Sequence, residues 1–148
     1  MLTVKDILEK KGDFVATVGA DSTILEAAKE MNSKRIGALV VTEGKRVIGI
    51  FSERDILTRV TVAQLDLVQT TVGDVMTRRV SYCKPESKVE ECRSIMTVKR
   101  VRHLPVIKKD CLVGIVTIGD LLAAEFDEQE RTIEYLNQYI HGPYTMGS

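Results

Sequence analysis

Apolar residues recur along the chain in short blocks whose period alternates between that of a strand and that of a helix. Val15-Ala16-Thr17-Val18 is a β-branched run that predicts a short strand. From Thr23 to Ser33 the apolar positions Ile24, Ala27, Ala28 and Met31 fall at helical spacing, with Asp21 and Ser22 as cap candidates. Ala38 to Val41 and Val47 to Phe51 are apolar runs separated by the turn-like Glu43-Gly44-Lys45-Arg46, which predicts a hairpin. A helix is expected from Ser52 through Ile56 and Leu57 to about Val60. After a connection over Val62 to Val72 the same order returns. Strands are expected at Val80–Cys83, His103–Ile107 and Leu112–Val116, and helices at Val89–Val98 and from Thr117. The pattern turns polar after Ala124, and then Ile133, Leu136 and Ile140 predict a C-terminal helix ending at Gly142-Pro143.

The return of the pattern is an internal repeat. Shifted by 65 residues, Asp21–Leu57 overlays Glu86–Leu122 without a gap, with eleven identities in 37 positions. These include Glu26/Glu91, Met31/Met96, Arg35/Arg100, Gly49/Gly114, Asp55/Asp120 and Leu57/Leu122. Upstream, Val4-Lys5-Asp6-Ile7-Leu8 resembles Val72-Gly73-Asp74-Val75-Met76 at an offset of 68. The chain is therefore two copies of a unit of about 60 residues. A unit that small buries its apolar face poorly alone, so the copies are expected to pack on each other.

Composition narrows the class of function. Among 148 residues, 21 Lys+Arg balance 21 Asp+Glu, and 44% are hydrophobic, so a disordered chain and a globally basic nucleic-acid binder are both excluded. No apolar run approaches the length of a membrane span, and the charged stretch Met1–Gly12 does not read as a secretory signal. Three cysteines at irregular spacing then predict free thiols in a reducing cytoplasm, without metal-ligand spacing. The charge is uneven: residues 71–124 carry ten basic and six acidic side chains, and residues 125–148 carry one and five. An acidic solvated helix, or a segment that docks on the basic block, fits that distribution.

The candidate chemistry lies where each hairpin meets its following helix. Gly49-Ile50-Phe51-Ser52-Glu53-Arg54-Asp55 matches Gly114-Ile115-Val116-Thr117-Ile118-Gly119-Asp120. A hydroxyl followed three residues later by an acid resembles a helix capping box. The same geometry suits a nucleotide: a helix N-terminus favours phosphate, and a carboxylate offers two oxygens to the two hydroxyls of a ribose.

These two motifs, together with Lys99-Arg100-Val101-Arg102-His103-Leu104-Pro105-Val106 and Val72-Gly73-Asp74-Val75-Met76-Thr77, make residues 4–124 resemble a tandem pair of CBS domains, named for cystathionine β-synthase. The resemblance implies an α/β (α+β) fold of two β-α-β-β-α units packed with pseudo-two-fold symmetry, plus the C-terminal helix. The expected boundaries are 7–66 for the first CBS domain, 67–75 for a linker, 76–131 for the second domain and 132–148 for a helical tail. It implies two clefts between the units, disc-like homodimers, and AMP, ADP, ATP, NAD(H) or S-adenosylmethionine as the class of ligand.

Carried over by position, the resemblance assigns Asp55 and Asp120 as ribose carboxylates and Ser52 and Thr117 as their hydroxyl partners. Arg54 resembles a phosphate contact, with Gly119 in its place in the second copy. Arg102 and His103 resemble phosphate-facing residues, and their counterparts Gly37 and Ala38 carry no charge, so the two sites are expected to differ. Thr17, Val18, Tyr82 and Cys83 fall where the first strand borders the adenine; Tyr82 would stack there or pack as a half-buried strand residue. Cys92 reads as core and Cys111 as a turn residue. The cationic groups favour AMP, ATP or NAD(H) over S-adenosylmethionine. The expected function is an energy- or redox-sensing regulatory module acting on a protein partner, not an enzyme, without nucleic acid or membrane. The alternative is an interaction adaptor whose clefts are vestigial.

Overall fold

The computed structural model describes residues 1–141 and consists of two matching halves. In the first, α1 (Val4–Lys11) precedes β1 (Thr17–Val18), α2 (Ile24–Lys34), β2 (Ala38–Glu43), β3 (Arg46–Ser52) and α3 (Glu53–Asp55). In the second, α4 (Val72–Val75) precedes α5 (Val89–Lys99), β4 (His103–Lys108), β5 (Cys111–Thr117) and α6 (Ile118–His141). The mixed α/β architecture of two repeated units with a C-terminal helix is the one expected.

The repeat holds at the level of single bonds. β2 and β3 pair antiparallel, as do β4 and β5, and the register slips at the same place in both, after Val41 and after Val106. Arg35 and Arg100 end α2 and α5 in the same left-handed conformation, at φ 54° and 55°. The hydrogen bond from Glu53 N–H to the Gly37 carbonyl is matched by that from Ile118 N–H to the Arg102 carbonyl, both 3.0 Å.

The short helices that open each half cross over. Val4 N–H donates to Ser87 O (2.9 Å) and Lys5 N–H to Pro85 O (2.8 Å), while Val72 N–H donates to Ser22 O (2.8 Å) and Gly73 N–H to Ala20 O (2.9 Å). Val4 and Ile7 therefore sit in the core of the second half, with Val89, Cys92, Met96, Leu104, Val106, Val116 and Leu121. Val72, Val75 and Met76 complete the core of the first, around Ile24, Met31, Leu39, Val41, Phe51 and Val60. Each half borrows an apolar turn from the other, so neither core closes alone. Gly49 and Gly114 admit the crossing segments: a Cβ at Gly49 would lie 2.5 Å from Met76 Sδ, and one at Gly114 would lie 2.8 Å from Leu8 Cδ2.

Several elements differ from expectation for local reasons. The strand expected at Val80–Cys83 shrinks to one bridge between Cys83 and Val106. Its counterpart β1 is held by Val40 N–H donating to Ala16 O at 3.1 Å, and the residue equivalent to Val40 is Pro105, which has no N–H to give. The cap of α2 is Thr23, not Asp21 or Ser22; its hydroxyl accepts from Glu26 N–H and Glu26 Oε1 accepts from Thr23 N–H at 3.1 Å, a capping box. The helix expected from Ser52 is one α-helical turn that widens into a π-helix over Ile56–Thr61. The helix of the second copy and the C-terminal helix are a single continuous helix, α6, of 24 residues. The Gly142-Pro143 end lies outside the described residues.

Candidate functional site

Both hydroxyl–acid motifs close as capping boxes at the ends of β3 and β5. Asp55 Oδ2 accepts from Ser52 N–H (2.9 Å) and Ser52 Oγ (3.2 Å), and Asp55 N–H donates back to Ser52 Oγ (3.4 Å). Asp120 Oδ2 accepts from Thr117 N–H (2.8 Å), and Asp120 N–H donates to Thr117 Oγ1 (3.1 Å). The arrangement turns each carboxylate back over its own helix N-terminus, where the backbone dipole favours negative charge.

Beyond that shared frame the two carboxylates differ. Asp55 is the one buried charged residue among the described residues, at 5% exposure. Its Oδ1 accepts from Thr77 Oγ1 at 3.0 Å and lies 3.7 Å from Arg59 Nε. Arg59 is itself fixed by donation to the Val75 and Met76 carbonyls at 3.1 and 3.2 Å. Asp120 is more open and is bonded instead by Lys11, whose Nζ donates to Asp120 Oδ2 at 2.7 Å and to Ile115 O at 3.1 Å.

A cleft of about 1390 Å³ runs between the halves. Of the expected site residues it gathers Ser52, Arg54, Asp55, Arg102, His103, Thr117 and Gly119. To these the structure adds Arg59, Thr77, Arg79, Lys99 and Arg100, so the lining holds six Lys or Arg against the acids Glu53 and Asp55. Arg54 crosses the cleft and donates through Nη1 to Arg100 O at 2.7 Å. Gly37 lines the cleft where the second copy has Arg102, and a Cβ there would meet Glu53 Oε1 at 2.5 Å and His103 Cε1 at 3.4 Å. Burial holds the His103 imidazole below its ordinary pKa, with Lys11 and Arg102 adding to the effect and Glu53 and Asp120 opposing it.

The remaining expected residues lie outside that lining, Asp120 among them, one hydrogen bond from Thr117 at its edge. Thr17 is exposed on β1, and Val18 packs against the first core. Tyr82, 52% exposed, lines a separate groove with the two hairpin turns, among Lys45, Arg46, Arg78, Lys84, Lys108 and Lys109. Cys83 is buried in the second core, where the Cys92 thiol beside it and burial hold its own thiol well above the ordinary value, so it stays protonated. Cys92 is buried as expected, and Cys111 is partly so. No group of three or more potential metal ligands occurs among the described residues, and no helix there is long and apolar enough to cross a membrane.

Comparison with known proteins agrees with this fold. The CBS-domain family model matches residues 4–61 and 72–127. The mitochondrial CBS domain-containing protein CBSX3 of Arabidopsis thaliana is 36% identical over 151 aligned residues, 96% of this chain and 73% of that one. The structure of a putative signal-transduction protein with CBS domains from Burkholderia ambifaria superposes with a TM-score of 0.83 at 37% identity, covering 86% of this chain and 96% of that one. Two further structures were solved with ligands. A CBS domain protein of Pyrobaculum aerophilum complexed with AMP has a TM-score of 0.72 at 28% identity, covering 80% and 89%. A CBS domain pair in complex with 5-methylthioadenosine and S-adenosylmethionine has a TM-score of 0.75 at 26% identity, covering 87% and 98%.

Proposed function

The chain belongs to the CBS-domain family as a tandem pair, and from that premise we propose that it is a regulatory module that senses a phosphorylated adenosine ligand, AMP, ATP or NAD(H), in the cleft between its halves. The observation that carries this reading is the charge of the cleft: six Lys or Arg side chains face two acids in a protein whose net charge is zero. A phosphate chain suits that lining better than the neutral or cationic ligands other CBS pairs hold. Asp55 and Asp120 are the ribose acceptors in this reading, with Arg54, Arg102 and His103 on the phosphates.

Signalling follows from what ligand must displace. Arg54 ties the first half to the carbonyl of Arg100 in the second, so a phosphate that takes Arg54 releases a bond between halves. The ligand then shifts the population toward whichever arrangement of halves binds it better, by no more than its differential affinity for the two. The output is carried to a partner protein or through a homodimer. The three free cysteines suit a reducing compartment such as the cytoplasm.

A thermal-shift series with AMP, ADP, ATP, NAD⁺, NADH and S-adenosylmethionine tests the proposal. A ligand at about 100 times its Kd adds roughly 2.7 kcal/mol, which for a chain of this size raises Tm by about 5–10 °C. A shift with a phosphorylated ligand and none with S-adenosylmethionine is expected. A flat series would turn the reading to an adaptor, which the apolar and acidic α6, exposing Phe126, Ile133 and Leu136, also fits.

A further inference from the structure

We propose that Lys11, at the end of the crossing helix α1, gates Asp120 and makes that half of the binding region select ligands that carry a phosphate; this rests on the nucleotide-sensing reading above.

The last turn of α1 clasps α6 twice. Lys10 Nζ lies 2.9 Å from Asp127 Oδ2 and Lys11 Nζ lies 2.7 Å from Asp120 Oδ2. Asp120 and Asp127 are seven residues apart, two helical turns, and so face the same way. α1 is anchored for this by Val4 and Ile7, buried in the second core. Lys11 is therefore delivered to the site by a helix whose position the fold sets, and its side chain is 31% exposed.

Lys11 and Thr117 N–H donate to the same oxygen of Asp120. A ribose diol that engages both oxygens of Asp120 must compete with the ammonium for Oδ2. An uncharged nucleoside that wins leaves a partly shielded ammonium without its counter-ion. A ligand with a phosphate brings a new one, and the exchange conserves the pairing of charge. Lys11, Arg102 and Asp120 all lie close enough to His103 to act on it electrostatically, so the cation that Asp120 releases is already beside the expected phosphate contacts. Asp55 has no such gate. Its nearest cation, Arg59, is 3.7 Å away and is held by two backbone carbonyls, so nothing there exchanges between carboxylate and ligand. No feature of the repeat predicts this asymmetry, because the residue equivalent to Lys11 at the 68-residue offset is Arg79, which lines the cleft and forms no ion pair with Asp55.

The test is calorimetric titration of the full chain with AMP and with adenosine. Wild type is expected to prefer AMP by tenfold or more. In Lys11→Met and Lys11→Gln that preference falls by about tenfold, through weaker AMP and tighter adenosine binding, whereas Lys11→Arg keeps it within about threefold. Asp120→Asn, which removes the gated charge, brings adenosine and AMP closer together as well. An unchanged AMP-to-adenosine ratio in both neutral Lys11 variants, with AMP still bound, overturns the gate and leaves the nucleotide reading standing. If wild type binds none of AMP, ATP, NAD(H) and adenosine, the nucleotide reading fails and the gate falls with it.

Discussion

Arg54 Nη1 and the carbonyl oxygen of Arg100 meet at 2.7 Å across the cleft. The carbonyl belongs to the residue that ends α5, where the helix dipole and the unpaired carbonyls make a weakly negative pole. A guanidinium parked there is held loosely enough to leave for a phosphate, which forms stronger charge-assisted bonds. Arg54→Ala is expected to weaken ATP by about tenfold while changing adenosine by less than threefold, as read by titration calorimetry. Because Arg54 is exposed, Tm should move little. Equal losses for ATP and adenosine would show that Arg54 acts by shaping the cleft and not by pairing with phosphate.

Thr77 contributes differently, by satisfying a buried charge. Its hydroxyl donates to Asp55 Oδ1 at 3.0 Å, on the oxygen that the capping box leaves open. Thr77→Val keeps the shape and removes the donor, leaving a carboxylate that is 5% exposed short of a partner. The cost is about 1–3 kcal/mol, or roughly 3–10 °C in Tm. Asp55→Asn combined with Thr77→Val should cost less than the sum of the two, and full additivity in that cycle would refute the coupling.

Gly49 and Gly114 occupy the same repeat position and should respond differently to the same change. At Gly114 a Cβ meets only the Leu8 side chain, its terminal methyls at 2.8 and 2.9 Å, which can rotate away. At Gly49 it meets Met76 Sδ at 2.5 Å and the Thr77 carbonyl at 3.0 Å. That carbonyl is fixed by Ile50 N–H at 3.0 Å, and Thr77 N–H returns a bond to Ile50 O at 2.9 Å. Gly49→Ala must therefore push backbone, at about 1–3 kcal/mol, and disturb the Thr77–Asp55 bond as well. Chemical denaturation of the two variants should show Gly49→Ala to be clearly the less stable, and the reverse order would contradict the assigned crossing contacts.

His103 gives the fold a dependence on mildly acidic pH. Burial first, then Lys11 and Arg102, hold its pKa below the ordinary histidine value in the folded protein. As pH falls through the ordinary histidine range, the unfolded chain takes up a proton that the folded one does not, so stability is present above that range and is lost on the way down. The carboxylates held low by hydrogen bonds from Thr3 to Asp6, Thr23 to Glu26, Gln69 and Val68 to Asp66, and Lys10 to Asp127, contribute only at more acidic pH. His103→Gln should flatten the stability curve between about pH 7 and 5 and leave the acid limb below pH 4 unchanged. A variant with the wild-type slope between pH 7 and 5 would remove His103 as its source.

The parts of this molecule legible in its sequence are those that repeat. The 65-residue offset places the hairpins and both capping motifs, because these depend on short-range patterns present twice. What the sequence hides is the crossing-over. Residues 4–8 and 72–76 resemble each other, but nothing local says that each packs on the other copy, and that exchange is what brings Thr77 to Asp55 and Lys11 to Asp120. Arg59 and Arg100 were hidden for a related reason. One lies on a π-helical turn and the other closes a helix, and only the assembled cleft brings them together. Tyr82 and Cys83 differ from expectation in their strand alone, because Pro105 removes the donor that would have extended it.

Leu57 and Leu122 are equivalent residues on the helices that follow β3 and β5, and both are exposed, at 63% and 55%. Phe126, 61% exposed, stands one turn beyond Leu122 on α6. Large apolar side chains exposed at matching positions of two pseudo-symmetric halves suit an isologous contact, in which the helices of one copy meet those of another about a two-fold axis. A homodimer built this way would place two clefts in register and give Asp127 and Lys10, on the same α1–α6 clasp, a route from ligand to interface. Light scattering on the full chain should give twice the chain mass at micromolar concentration. Leu122→Glu together with Phe126→Glu should give the monomer, because each carboxylate would have to be buried unpaired in the contact. A dimer that survives both substitutions would move the interface away from α6, and a monomeric wild type would leave the output of the cleft to a partner protein.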